Sequence, residues 1–217
     1  MTLRTATASD LDQIMALERA SFPSDAWSDA MMAAELDSPH GRYVVDIEAG
    51  QLRGYGGVRA VEGGADADIQ TIAIAADARG KGRGRALLHE LLTSARERGA
   101  REVFLEVRAD NPVATALYVS EGFVEIARRP HYYQPDGVDA VVMKLDLVGW
   151  AAARGSSDAR GSQNRANFAP NPGNGTNLAR VCELGEPGAD AASAPTAAPA
   201  PSAAPAPSAA STQKGWC

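Results

Sequence analysis

Between residues 1 and 147 the apolar positions recur with two different periods, and each switch between them marks the edge of an element. Leu3 to Ala6 reads as a short strand. Ser9 then stands as a helix N-cap before Leu11, Ile14, Met15 and Leu17, one helical stripe that Phe22-Pro23 ends. A second helix is expected from Ser28, with Met31, Met32 and Leu36 on one side, stopping at Ser38-Pro39. Arg42 to Glu48 and Leu52 to Val61 alternate as strands about Ala49-Gly50, and Asp68 to Ile74 completes a meander after Gly63-Gly64. The order then changes. Gly84 to Arg98 carries Leu87, Leu88, Leu91, Leu92 and Ala95 on one helical face and ends at Gly99. Glu102 to Arg108 is a strand, Pro112 to Glu121 a helix closed by Gly122, and Phe123 to Arg129 and Ala140 to Leu145 two further strands. The expected fold class is α/β: a mixed, mostly antiparallel central sheet with helices on both faces.

One strand breaks the pattern. Alternation puts Val103, Leu105 and Val107 on one face, and Phe104, Glu106 and Arg108 on the other. Two charges therefore occupy a strand that the element order makes central, just before Asn111-Pro112 turns the chain into a helix that carries Tyr118.

Composition divides the 217 residues unevenly. Large apolar side chains crowd into residues 1–147, whereas 148–217 is built mainly from Ala, Pro, Ser, Gly and Asn. The stretch SAPTAAPAPSAAPAPSAAS has too little apolar surface to offset about 1–2 kcal/mol of backbone ordering per residue. The expectation is one domain, 1–147, followed by a disordered tail, 148–217. A net charge of −6 argues against nonspecific binding to nucleic acid or an anionic membrane. The two cysteines, Cys182 and Cys217, fall in the tail, so the domain holds no disulfide framework or thiolate metal site. The start of the chain shows no apolar signal segment, and no run approaches the ~18 apolar residues of a membrane span. These features fit a soluble, cytoplasmic protein.

The densest chemistry lies in QTIAIAADARGKGRGRALL. Gly80, Gly82 and Gly84 alternate with Lys81, Arg83 and Arg85 directly before a helix start. Glycines let backbone N–H groups approach an anion closely, and the helix N-terminus adds unsatisfied donors, so the segment reads as a phosphate cradle rather than a flexible basic turn. It is not a P-loop, because Lys81 is not followed by Ser or Thr. Nor does it have the G-x-G-x-x-G spacing of a dinucleotide fold, since Arg85 stands three places after Gly82.

Arg79-x-x-Gly82-x-Gly84 does resemble the R/Q-x-x-G-x-G/A pattern of the GNAT acetyltransferases. LEVRADNPVATALYVSEGF, ARRPHYY, DAVVMKL and SFPSDAWS further resemble the RimI-like branch that acetylates the N-terminal alanine of a small-subunit ribosomal protein. The resemblance spans about Leu3 to Leu147 and implies acetyl-CoA as co-substrate with no metal. Its pyrophosphate would lie on the loop from Arg79 through Gly80, Lys81, Gly82, Arg83 and Gly84 to Arg85. The pantetheine arm would lie along Ile72, Ala73 and Ile74, with Asn111 on its amide. Backbone N–H groups at the end of that strand would serve the oxyanion. The acceptor would be a protein N-terminus, held by Trp27, His131, Tyr132 and Tyr133, with no direct contact to nucleic acid or membrane. In the acceptor segments the chain departs from common family usage at Ala26, before Trp27-Ser28, and at Pro130-His131.

Acetyl transfer needs a neutral amine, a donor for the oxyanion and a proton for the departing thiolate. By resemblance Glu106 is the general base, acting through water, and Tyr118 the general acid. A carboxylate relay suits an α-amine, with reference pKa of about 7.7–8.0, better than a lysine near 10.4. Taken alone, Glu106 could pair with Arg108 or cap the next helix, and Tyr118 could be a core residue beside Leu117. His40, His89 and His131 lack metal-ligand spacing. Acetylation of lysines or of a small amine remains the alternative on the same scaffold, and a catalytically silent acyl-CoA-binding regulator the alternative of another class.

Overall fold

The computed structural model describes residues 1–23, 26–158 and 180–181. In chain order the elements are β1 (Thr2–Thr5), α1 (Leu11–Ser21), α2 (Asp29–Asp37), β2 (Gly41–Glu48), β3 (Gln51–Ala60), β4 (Asp66–Ile74) and α3 (Arg83–Glu97). They continue with β5 (Glu102–Arg108), α4 (Pro112–Ser120), β6 (Val124–Tyr133), β7 (Val138–Asp146), α5 (Leu147–Asp158) and the two-residue β8 (Arg180–Val181). The strands order as β1-β2-β3-β4-β5-β7-β6, with β8 beside β4. Neighbours on the main path are antiparallel except β4 and β5, whose parallel connection runs through α3. The mixed, mostly antiparallel sheet expected from the sequence is the one observed.

Each face of the sheet has its own core. Leu87, Leu88, Leu91 and Leu92 of α3 are fully buried against Val44, Val58, Ile69, Ile72, Val103 and Leu105, and Ala114 and Tyr118 of α4 join the same cluster. Fully burying one leucine stabilises by about 1.5–3 kcal/mol, so this stripe alone explains why α3 docks as its period predicts. On the opposite face Ile14 and Met15 of α1 and Met32 of α2 pack with Tyr43, Val45, Tyr55 and Ala73. The strand alternation Tyr43, Val44, Val45 thus feeds both cores in turn.

Local differences from expectation have local causes. The turn before α1 is capped by Asp10, which accepts from the Thr7 N–H at 2.8 Å and pairs with Arg4, rather than by Ser9. Ser28 caps α2 as expected, accepting from the Met31 N–H at 3.2 Å. Only Met32 of its methionine pair turns inward, and Met31 is exposed. The last two strands are longer than their apolar runs, because cross-strand pairing carries them to Tyr133 and Val138. The tail was expected to be disordered from 148, but α5 begins at Leu147 and continues past that limit to Asp158, docking through buried Leu147 and a Trp150 indole N–H donated to Glu121 at 3.2 Å. Apart from β8, the tail beyond residue 158 lies outside the described residues, Cys182 and Cys217 included.

Candidate active site

β4 and β5 are paired only at their starts, Asp66–Asp68 with Glu102–Phe104. Farther along, β4 carries an extra residue opposite β3: Gly57 pairs with Thr71 but Val58 with Ile69, leaving Gln70 as a bulge. The bulge resets the alternation. Ala67, Ile69, Ile72 and Ile74 point to the α3 side, whereas Asp68, Thr71 and Ala73 point to the α1–α2 side. Beyond Asp68 the edge of β4 at Thr71 and Ile72 pairs instead with β8, at Arg180 and Val181.

The glycine loop sits at the C-terminal end of β4 and opens α3. Gly80 and Gly82 have φ of 71° and 75°, Gly82 is the N-cap of α3, and open space surrounds the place where either Cβ would stand. Both features suit a loop that presents backbone N–H groups to an anion. The basic side chains are committed elsewhere. Arg83 is buried and pairs with Asp46 at 2.6 Å and Glu48 at 2.5 Å, and Arg85 donates to Glu121 at 2.6 Å. Arg79 Nε donates to the Ile74 carbonyl and Lys81 Nζ to the Asp77 carbonyl, each at 3.2 Å. The loop therefore offers an anion its main chain, the neighbouring guanidinium groups being held in ion pairs that fix the loop to β2 and α4.

Asn111 is the N-cap of α4, its Oδ1 accepting from the Ala114 N–H at 3.0 Å. Its Nδ2 is buried without a hydrogen-bond partner, a costly arrangement that an amide carbonyl of a pantetheine arm would relieve. Tyr118, two turns on, is 1% exposed and packs edge-on to Phe123 at 5.6 Å between ring centres. The glycine cradle and this orphaned amide fit acetyl-CoA.

Glu106 is 0% exposed and points, with Asp68, to the α1–α2 side. Burial pushes its pKa up, while the Tyr132 hydroxyl and the Arg129 guanidinium pull it down. Arg108, the sequence's first candidate partner for Glu106, pairs with Asp110 at 2.9 Å and Asp136 at 3.1 Å. Arg129 takes that place, its Nη1 lying 3.0 Å from Glu106 Oε1. Asp68 is pushed up to about 6, chiefly by burial and next by the charge of Asp66, against the attraction of Arg59. Two carboxyl groups that resist ionisation thus share one face of the sheet on the adjacent strands β4 and β5, an arrangement that favours a cationic visitor.

The expected acceptor residues lie on two segments of the chain. Trp27 is half-buried after α1, its N–H held at 3.0 Å by Glu18, a fully buried carboxylate that also accepts from the Tyr55 hydroxyl. His131, Tyr132 and Tyr133 lie on the β6 side of the last hairpin, where the pairing register shifts. His131 adopts φ of 53°, its N–H donates to Asp139 at 2.9 Å, and its Nδ1 contacts the Gly137 carbonyl, so its ring belongs to the turn. Tyr132 and Tyr133 meet edge-on at 5.2 Å, with Arg129 over the first ring and Arg108 over the second. Asp68, Arg129 and Glu18 were not singled out by the sequence. Asp68 had one signal, its alternation with Ala67 and Ile69; Arg129 and Glu18 had none. Among the described residues, no group of three or more His, Cys, Asp or Glu converges as a metal site.

The Acetyltransferase (GNAT) family model matches residues 11–123. The N-alpha-acetyltransferase RimI of Mycobacterium tuberculosis is 38% identical over 149 residues, covering 67% of this chain and 92% of that protein. An N-alpha-acetyltransferase of Sulfolobus acidocaldarius is 32% identical over 156 residues, with 67% and 92% covered. Among solved structures, the ribosomal-protein-S18-alanine N-acetyltransferase of Escherichia coli superimposes with a TM-score of 0.61 at 30% identity, covering 67% of this chain and 93% of that one.

Proposed function

The chain belongs to the GNAT acetyltransferase family, and from that premise we propose that it transfers an acetyl group from acetyl-CoA to the N-terminal α-amine of a protein. The acceptor we infer is the N-terminal alanine of a small-subunit ribosomal protein, the substrate class in the name of the Escherichia coli relative. The observation that carries the reading is the buried, pKa-raised carboxyl of Glu106 on the same face of the sheet as Asp68. A raised carboxyl accepts a proton more readily near neutrality than an exposed glutamate would. It needs only to finish the deprotonation of an α-amine, which at pH 7 is already about a tenth neutral.

Acetyl-CoA would supply the activated thioester when bound, and the chain's own residues divide the remaining work. Main-chain groups of Gly80–Gly84 at the start of α3 would hold its pyrophosphate. The Nδ2 of Asn111 would donate to the pantetheine amide. Glu106 receives the proton of the incoming ammonium, directly or through one water, and Tyr118 delivers a proton to the leaving sulfur from the α4 side of the sheet. Glu106 faces the α1–α2 side of the sheet and Tyr118 the side covered by α3 and α4. Among the described residues no helix is long and apolar enough to cross a membrane.

The test compares three acceptors at equal concentration: a peptide beginning with free alanine, an N-blocked lysine peptide and a polyamine. Acetylation of the first, confined to its α-amine by mass spectrometry and diminished in Glu106→Gln mainly at neutral pH, is the expected result. Preferential acetylation of the lysine peptide or the polyamine would refute it.

A further inference from the structure

Arg129 has no part in the chemistry of acetyl transfer, yet its guanidinium stands on the base. The contact crosses a strand. Glu106 of β5 is in register with Val142 of β7, and Arg129 of β6 with Ala140, so all four side chains share one face of the sheet. The small Ala140 side chain leaves the arginine room to reach over β7, bringing Nη1 to 3.0 Å from Glu106 Oε1. The Arg129 guanidinium acts on the carboxylate by charge, and the Tyr132 hydroxyl acts on it by a hydrogen bond. The burial of the two partners is lopsided. The Glu106 side chain is 0% exposed whereas that of Arg129 is 42% exposed, with its guanidinium 5.6 Å from the centre of the half-open Tyr132 ring. The arginine can leave toward solvent, and the glutamate cannot.

The remaining groups around the carboxylate do not replace this contact. Asp68 of β4 is another acid, Val142 of β7 is uncharged, the Tyr132 hydroxyl of β6 donates a hydrogen bond but brings no charge, Arg108 on β5 itself is committed to Asp110 and Asp136, and Glu18 of α1 is engaged by Trp27 and Tyr55. Arg129 is thus the cation that compensates Glu106 among the described residues. An amine that is to give its proton to Glu106 must approach the same oxygens, and two cations cannot share them without strong repulsion.

We propose that Arg129 is a placeholder cation, a positioning residue that occupies the acceptor-amine site on Glu106 and is exchanged for the incoming ammonium. The inference rests on the reading of Glu106 as the base. Before an acceptor binds, Arg129 keeps a buried carboxylate ionised that would otherwise take up a proton from water. When a charged amine arrives, the guanidinium withdraws onto Tyr132 and the amine inherits its place. Acceptor selection then includes a charge criterion: a group that arrives neutral and unable to take up a proton does not displace the arginine.

The experiment uses the full chain with Arg129→Gln and Arg129→Lys. Glutamate carboxyl carbons are labelled with 13C and titrated by NMR without any substrate, and Glu106→Gln assigns the Glu106 signal. Arg129→Gln should raise the Glu106 pKa and move the acidic limb of kcat/KM upward with it, while Arg129→Lys should restore both toward wild type. Above the new pKa, KM for a free-alanine peptide should fall roughly two- to fivefold in Arg129→Gln, because the half-exposed ion pair that competes with the amine is gone. A raised KM would mean that Arg129 binds the acceptor instead and would overturn the proposal, as would an unmoved Glu106 titration. Absence of turnover on every amine by the wild-type protein would overturn the reading of Glu106 as base, and the exchange with it, whatever the NMR titration gave.

Discussion

Asp68→Asn should make the protein more stable at alkaline pH than the wild type, although it deletes a charge from a partly buried site. The Asp68 carboxyl is pushed from 3.8 up to about 6, with burial the main cause, the charges of Asp66 and Glu106 adding to it and Arg59 opposing it. A folded-state pKa above the unfolded value means that the protonated form is the one folding favours. Its contribution is fully present below about pH 4 and is lost as pH rises through about 6. A shift of roughly two units corresponds to a ceiling near 3 kcal/mol at about 1.4 kcal/mol per unit. Part of the side chain still meets water, and screening there reduces the figure to about 1–2 kcal/mol. Asparagine has a similar shape and cannot ionise, so the advantage of the variant should grow by that amount between about pH 4 and pH 8. Urea unfolding of both proteins across this range measures it directly, and thermal melts at the alkaline end should differ by roughly 2–8 °C. An advantage that does not change with pH, or a variant less stable than wild type at pH 8, would refute the assignment of Asp68 as a disfavoured charge.

Tyr118→Phe should slow transfer by about 10²-fold or more through loss of the proton donor, since general acid catalysis is worth roughly that much; single-turnover kinetics with unchanged rate would remove the hydroxyl from the chemistry. Asp46→Ala strands the 95%-buried Arg83 beside the exposed Glu48 alone and should cost about 3 kcal/mol in urea unfolding, the lower end of what a broken buried pair costs; a loss below 1 kcal/mol would show that Glu48 suffices. Because β8 pairs with β4 at Thr71 and Ile72, and the pantetheine arm is expected along Ile72, Ala73 and Ile74, the double substitution Arg180→Pro, Val181→Pro should lower KM for acetyl-CoA. An unchanged KM would mean that the strand and the co-substrate do not compete.

Much of this molecule is legible in its sequence, for reasons that are local. The leucine stripe of α3, the glycines that open it and the alternation of β4 and β5 each depend on residues within a few positions of one another. The ends of β6 and β7 were less legible, because the polar Pro130-His131-Tyr132 segment has no strand period of its own and is carried into the hairpin by pairing with β7. The partners of the loop's basic residues were not legible: Arg83 pairs with Asp46 and Arg85 with Glu121, each more than thirty positions away in the chain.

The sequence by itself determined the elements, the glycine-rich turn that opens α3 and the positions of an acid and a phenol on consecutive elements, since period, capping and glycine content act over short range. The tertiary structure alone decided which charges meet. Strand order β5-β7-β6 puts Arg129 rather than Arg108 on Glu106, and the bulge at Gln70 turns Asp68 to the same face of the sheet. Coulomb interactions and burial depend on separation in space, and a sheet whose neighbours are not consecutive in the chain makes that separation unreadable from spacing along it.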